Sequence, residues 1–152
     1  MNYIKKEMDL AIGETTAEQI KLQIGCAMPL MTEMSMEVRG RDLATGYPKH
    51  ITVTSSQMEE AMKESISKIV EIIKLTLEKT PPELASDIAE KGIALAGGGA
   101  LIKNLDKLIS EETKMPVYVI KDPLDCVVRG AGKSLEDIEK LKKILITARN
   151  RR

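Results

Sequence analysis

Three consecutive glycines, Gly97, Gly98 and Gly99, follow the short apolar run Ile93-Ala94-Leu95-Ala96 and precede a helical pattern through Leu101, Leu105, Leu108 and Ile109. A strand, a glycine-rich turn and a helix in that order let a ligand approach the backbone closely, because glycine places no side chain in the way. A helix opening on such a turn presents free N–H groups and the positive end of its dipole. Ligands of open α/β sheets sit at the carboxyl ends of strands, where this turn falls. The other reading is a tight strand-to-helix turn that needs glycine for geometry alone, and the local sequence does not separate the two. The turn lacks the P-loop spacing ahead of a Gly-Lys-Ser/Thr, and it is not a GxGxxG dinucleotide fingerprint.

Other chemistry is sparse. His50 is the single histidine, which leaves no basis for a Ser-His-Asp arrangement or a two-histidine metal site; it reads as a surface residue flanking a strand. Cys26 and Cys126 lie far apart without CxxC spacing, so neither a disulfide framework nor a zinc site is expected, and both read as buried, inert thiols. Met28, Met31, Met34 and Met36 form either an adaptable contact surface or ordinary packing. Arg41 and Asp42 either pair across a hairpin or are solvated. The 23 basic and 23 acidic residues cancel, and Phe and Trp are absent, leaving Tyr3, Tyr47 and Tyr118. No nucleic-acid partner is therefore expected, since both a basic footprint and stacking rings are missing. The basic end Arg149-Asn150-Arg151-Arg152 reads as a solvated terminus. With 43% hydrophobic and 30% charged residues the chain is globular in composition, with an aliphatic core. No signal peptide or apolar run of about 18 residues is seen, so a cytoplasmic chain without a membrane-spanning segment is expected.

The elements that must position the glycine turn follow from periodicity. Residues 3–10 read as the end of a helix broken at Gly13. Thr15-Thr16-Ala17-Glu18 has capping-box spacing ahead of a short helix through Ile20, Leu22 and Ile24 that stops at Gly25. A loop from Cys26 to Met34 leads into alternating strands at 35–39 and 49–54, joined by a turn-rich connection over 40–48. Met58, Ala61, Met62, Ile66, Ile69, Val70, Ile73 and Leu77 predict a long helix from Ser56 to Lys79. Thr80 as N-cap, Pro81 at the first helical position and Glu83 predict a further helix to Gly92. The run 93–96, the helix after the glycines and the run 117–120 make a βαβ unit, so those two strands should be parallel. One or two helices are predicted over 123–133 and 135–148.

Several stretches resemble the MreB family of bacterial actin-like cell-shape proteins. Leu95-Ala96-Gly97-Gly98-Gly99-Ala100-Leu101 resembles the adenosine motif of the wider actin, Hsp70 and sugar-kinase superfamily. Gly13-Glu14-Thr15-Thr16-Ala17-Glu18-Gln19-Ile20-Lys21 is similar to the MreB segment whose glutamate and lysine border the adenine and ribose. Arg39 to Lys49 resembles the hairpin of its small subdomain, and Leu77 to Ile88 the helix junction before the glycine turn. Asp122 to Lys133 is similar to the second interdomain connector. The likeness runs through essentially the whole chain, in order.

The resemblance implies an α/β fold, part of an actin-like ATPase (ribonuclease H-like) domain II with a small α+β subdomain inserted. It divides the chain into 1–25 with 90–152 as a partial large subdomain, and 26–89 as the small one. It places Glu18 and Lys21 beside the adenosine of ATP or ADP, with Gly97, Gly98, Gly99, Ala100 and Leu101 beneath it. No catalytic residue and no metal ligand is carried over. The phosphate hairpins, the glutamate that positions the attacking water and the first connector have no counterpart here, so Mg would be met only through those missing loops, and ATPase activity of this chain is left open. Three strands of the family's sheet would lie upstream of Met1, leaving the 93–96 strand without a neighbour and favouring self-association. The resemblance further implies filament assembly that organises cell-wall elongation in rod-shaped cells, membrane association of the full-length protein, and a membrane-linked shape partner of the RodZ type. A stand-alone interaction module without nucleotide binding is the competing expectation, followed by another kinase or ATPase of the superfamily.

Overall fold

The computed structural model of the chain describes residues 1–136 and Ile138. Helix α1 (Asn2–Met8) ends at Asp9, which takes a left-handed conformation (φ 51°) and turns the chain into a two-residue strand, β1 (Leu10–Ala11). This ends the first helix earlier than the break predicted at Gly13. Leu10 is fully buried and pairs with Asp42, an arrangement set by a partner distant in sequence rather than by local pattern. Helix α2 (Glu14–Ile24) begins at Gly13 as N-cap, with no side chain capping it. Thr15 therefore lies inside the first turn, and the capping box predicted there is not formed: with β1 ending at Ala11, the helix starts two residues too early for Thr15 to serve.

Strands β2 (Ser35–Asp42) and β3 (Pro48–Thr54) pair antiparallel from Ser35↔Thr54 to Arg41↔Pro48. The hairpin is longer and its turn tighter than the predicted connection over 40–48, because Asp42 organises the tip. Its Oδ1 accepts the backbone N–H groups of Ala44 and Thr45 at 2.9 Å, and its Oδ2 lies 2.8 Å from Lys49 Nζ. Asp42 thus pairs with Lys49 rather than with Arg41. Lys49 first, then the turn donors, hold its carboxyl far below the usual carboxylate range. On the exposed face, His50 Nδ1 lies 2.8 Å from Glu37 Oε1, a surface pair as expected for the lone histidine.

Helix α3 (Ser55–Glu78) matches the predicted span closely. Its cap is a complete box: Thr54 Oγ1 accepts from Gln57 N while Gln57 Oε1 accepts from Thr54 N. At the other end Thr80 Oγ1 donates to the Thr76 carbonyl, so Thr80 closes α3 instead of opening the next helix. Helix α4 (Pro82–Lys91) has Pro81 as N-cap and Pro82 at its first position, since a residue preceding proline is pushed out of the helical region. The predicted start moves by one residue for that reason.

Strands β4 (Ile93–Leu95) and β5 (Val117–Val119) are parallel, in the register Ile93↔Val117 to Leu95↔Val119, joined through helix α5 (Leu105–Thr113). This is the expected βαβ unit. Of the one or two helices expected over 123–133 and 135–148, helix α6 (Cys126–Glu136) starts within the first stretch and runs past its end, while most of 135–148 lies outside the described residues. Cys126 is half-buried, with Sγ donating to the Pro123 carbonyl; only Cys26 is the fully buried thiol that was expected.

Helix α3 serves two apolar clusters. Its Met58 joins Ile4, Leu10, Ile20, Ile24, Val38 and Val53, whereas its Ile66 and Val70 join Ala27, Leu105 and Ile109 under β4 and β5. Burying each such side chain is worth about 1.5–3 kcal/mol, so α3 is the spine of the chain. Residues 1–25 share their buried cluster with the hairpin and the start of α3.

Candidate functional site

The glycine turn leaves the carboxyl end of β4, as the sequence predicts. Gly97 takes φ +79° and ψ 175°, a conformation that costs a side-chain-bearing residue about 1–3 kcal/mol, and its N–H donates to the Pro123 carbonyl at 2.7 Å. Gly98 and Gly99 are different. Both lie at ordinary φ in a 3-10 turn, Gly98–Leu101, and a Cβ placed on Gly99 would meet nothing within 4 Å. On Gly98 it would meet only Leu124 Cδ2, at the ordinary contact distance of 3.5 Å. Geometry requires glycine at 97 but not at 98 or 99, and the open space over Gly99 is where a flat ligand could reach the backbone.

The turn does not run straight into a long helix, contrary to prediction. After Leu101 the chain extends through Ile102 to Asn104, and α5 starts only at Leu105. The reason is pairing: Lys103 forms a parallel bridge with Cys26, and Asn104 takes a left-handed conformation (φ 60°) before the helix. Of the other turn residues, Ala100 is buried and Leu101 is exposed.

Glu18 and Lys21 do share one face of α2, with Lys21 Nζ 2.7 Å from Glu18 Oε2 and both side chains substantially exposed. A carboxylate and an ammonium so placed can accept from and donate to a vicinal diol. They border a groove of about 930 Å³ between α1, α2 and α3, with Tyr3, Ile4, Ala17, Ile20, Met58 and Met62 on its apolar walls. None of the glycines lines that groove. The two predicted halves are instead linked through the chain: Ala27 N donates to Lys103 O at 2.8 Å, and Lys103 Nζ to Gln23 O at 2.6 Å. The sequence held no local signal for Lys103, because its partners lie about eighty positions away. Cys26, beside this junction, is not a reactive group: burial pushes its thiol pKa up, Glu59 adds to the rise and Lys103 opposes it. Among the described residues, no helix is long and apolar enough to cross a membrane, and no group of three or more His, Cys, Asp or Glu is gathered to hold a metal.

A parallel β-α-β unit with a glycine turn at its strand end, next to a helix and hairpin unit, matches solved actin-like structures. MreB5 of Spiroplasma citri bound to ADP superposes with a TM-score of 0.88 at 38% identity, over 93% of this chain and 43% of that one. The MamK double helical filament structure superposes with a TM-score of 0.73 at 24% identity, which bears on fold alone. The architecture is thus a partial actin-like α/β fold. The family model described as MreB/Mbl protein matches residues 1–143. Cell shape-determining protein Mbl of Bacillus subtilis is 47% identical over 143 residues, covering 94% of this chain and 43% of the relative. Cell shape-determining protein MreB of Escherichia coli is 50% identical over 139 residues, covering 91% and 40%. The chain belongs to the MreB/Mbl protein family, and it spans about two fifths of the length of these relatives.

Proposed function

We propose that this chain is the adenosine-reading part of a nucleotide-dependent, filament-forming protein that determines rod shape by organising cell-wall elongation. The observation that carries the reading is the glycine pair at 98 and 99, where neither backbone conformation nor crowding calls for glycine. Glycines without a folding reason, at the carboxyl end of a parallel strand, favour close approach of a ligand. The Spiroplasma citri MreB5 structures with ADP and with AMPPNP, at 38% identity, support the nucleotide as that ligand. In this reading Glu18 and Lys21 hold the ribose hydroxyls, and Gly97 to Leu101 pass beneath the adenosine. The phosphates and their Mg are left, in this reading, to the part of the longer relatives that this chain does not match. Self-association and docking of a membrane-linked shape partner of the RodZ type belong to the same proposal, as does a cytoplasmic location close to the membrane.

Saturation-transfer NMR with adenosine tests the site: signal on the base and ribose protons that Lys21→Ala abolishes is the expected result. No signal from a folded sample would turn the chain into an assembly piece. One observation favours that second reading, a scaffold without nucleotide: α6 leaves Val127, Val128 and Leu135 exposed at 75%, 74% and 68%, an apolar surface suited to another protein face.

A further inference from the structure

Lys103 makes a reciprocal exchange with the end of α2. Were the helix to continue, Ala27 N would donate to the Gln23 carbonyl. Instead Ala27 N donates to the Lys103 carbonyl at 2.8 Å, and the Gln23 carbonyl receives Lys103 Nζ at 2.6 Å. The same ammonium lies 3.4 Å from the Leu22 carbonyl. These are last-turn carbonyls, which carry the negative end of the helix dipole and lack helical partners, so a cation there is well placed. The neighbouring residue repeats the attachment, with Asn104 Nδ2 donating to the Pro29 carbonyl at 3.2 Å. The segment leaving the glycine turn is thereby stapled to the helix that carries Glu18 and Lys21, and Lys21 lies in that same last turn.

We infer that Lys103 is a positioning residue of the nucleotide half-site, fixing the distance between the glycine turn and the Glu18–Lys21 face. The inference rests on the nucleotide reading given above. The ammonium is committed to α2 carbonyls and so acts through the placement of other groups. Losing it leaves the Ala27–Lys103 backbone bond and the Asn104–Pro29 bond but frees the last turn of α2 to shift against the glycine turn, and coupling losses of this kind are on the order of tenfold in affinity.

Adenosine and 2′-deoxyadenosine are titrated by ligand-observed NMR against the wild-type chain, Lys103→Met and Lys103→Arg. Lys103→Met should weaken adenosine on the order of tenfold and erase its preference over the deoxy analogue, because the diol-binding pair is displaced. Lys103→Arg, which keeps the cation, should restore both. A general loss of stability would weaken the two nucleosides alike and leave the preference. Unchanged affinity and preference in Lys103→Met would overturn the role; Lys103→Gln replaces it if the Met variant does not fold. If the wild-type chain shows no adenosine signal, the nucleotide reading fails on its own account. The staple is then judged by amide exchange: protection at Gly25 and at Ala100 should fall together in Lys103→Met, and unchanged protection would overturn it.

Discussion

The Glu18 carboxylate and the Lys21 ammonium lie 2.7 Å apart on one exposed face of α2. An exposed pair at this spacing contributes about 0.2–0.5 kcal/mol to a helix, so its value to the fold is small. Lys21→Ala should therefore leave the denaturation midpoint nearly unchanged while removing the adenosine signal. A variant that loses stability and binding in proportion would mark Lys21 as structural.

The glycine turn separates into two kinds of position. Gly97→Ala should cost about 1–3 kcal/mol in urea denaturation, because φ +79° with ψ 175° is a combination that glycine alone adopts readily. Gly98→Ala and Gly99→Ala should leave stability unchanged, or raise it by about 0.5 kcal/mol by restricting the unfolded chain. Their effect should appear instead in nucleoside binding, where the added methyl occupies the ligand's space.

Thr54 and Gln57 close both bonds of the α3 capping box. Thr54→Ala should destabilise the chain by about 1 kcal/mol in equilibrium denaturation. Thr15→Ala should do much less, since Thr15 caps nothing.

The hairpin tip has a defined pH response. Lys49, and after it the turn donors at 44 and 45, depress the Asp42 carboxyl below its ordinary value of 3.8. A depressed folded pKa gives stability that is fully present at neutral pH. It is lost as the pH falls below that ordinary value towards the folded one. Amide protection at Thr45 and Gly46, taken relative to intrinsic exchange at each pH, should hold down to about pH 4 and fall below it. In Asp42→Asn that step should vanish, and protection should be lower throughout.

The apolar surface of the C-terminal part predicts association. Leu124, Val127, Val128 and Leu135 are exposed at 66%, 75%, 74% and 68%, and β4 pairs only with β5 among the described residues. Light scattering should show a concentration-dependent mass above the monomer. A stable, monodisperse monomer at high concentration would contradict this.

Much of this was legible in the sequence where the signal is local. The recurrence every three or four residues of Met58, Ala61, Met62, Ile66, Ile69 and Val70 located α3, and two short apolar runs around a helix gave the parallel pair β4 and β5. Errors arose where two local signals competed. Caps were expected at Thr15 and Thr80, whereas the box formed is Thr54-x-x-Gln57, which was not anticipated. Thr80 yielded because Pro82 forces Pro81 to be extended. What was not legible is long-range: Leu10 became a strand by pairing with Asp42, and Lys103 interrupted the turn-to-helix run by bridging to Cys26. The separation of the candidate site into a glycine turn and a groove has the same origin, since no spacing rule relates residue 21 to residue 103.

The most direct test of the account is saturation-transfer NMR of adenosine on the purified, folded chain beside Lys21→Ala and Gly99→Ala. The account predicts transfer to the base and ribose protons in the wild-type chain and its loss in both variants at unchanged stability. Absence of transfer in the wild-type chain, or transfer that survives both substitutions, would contradict it.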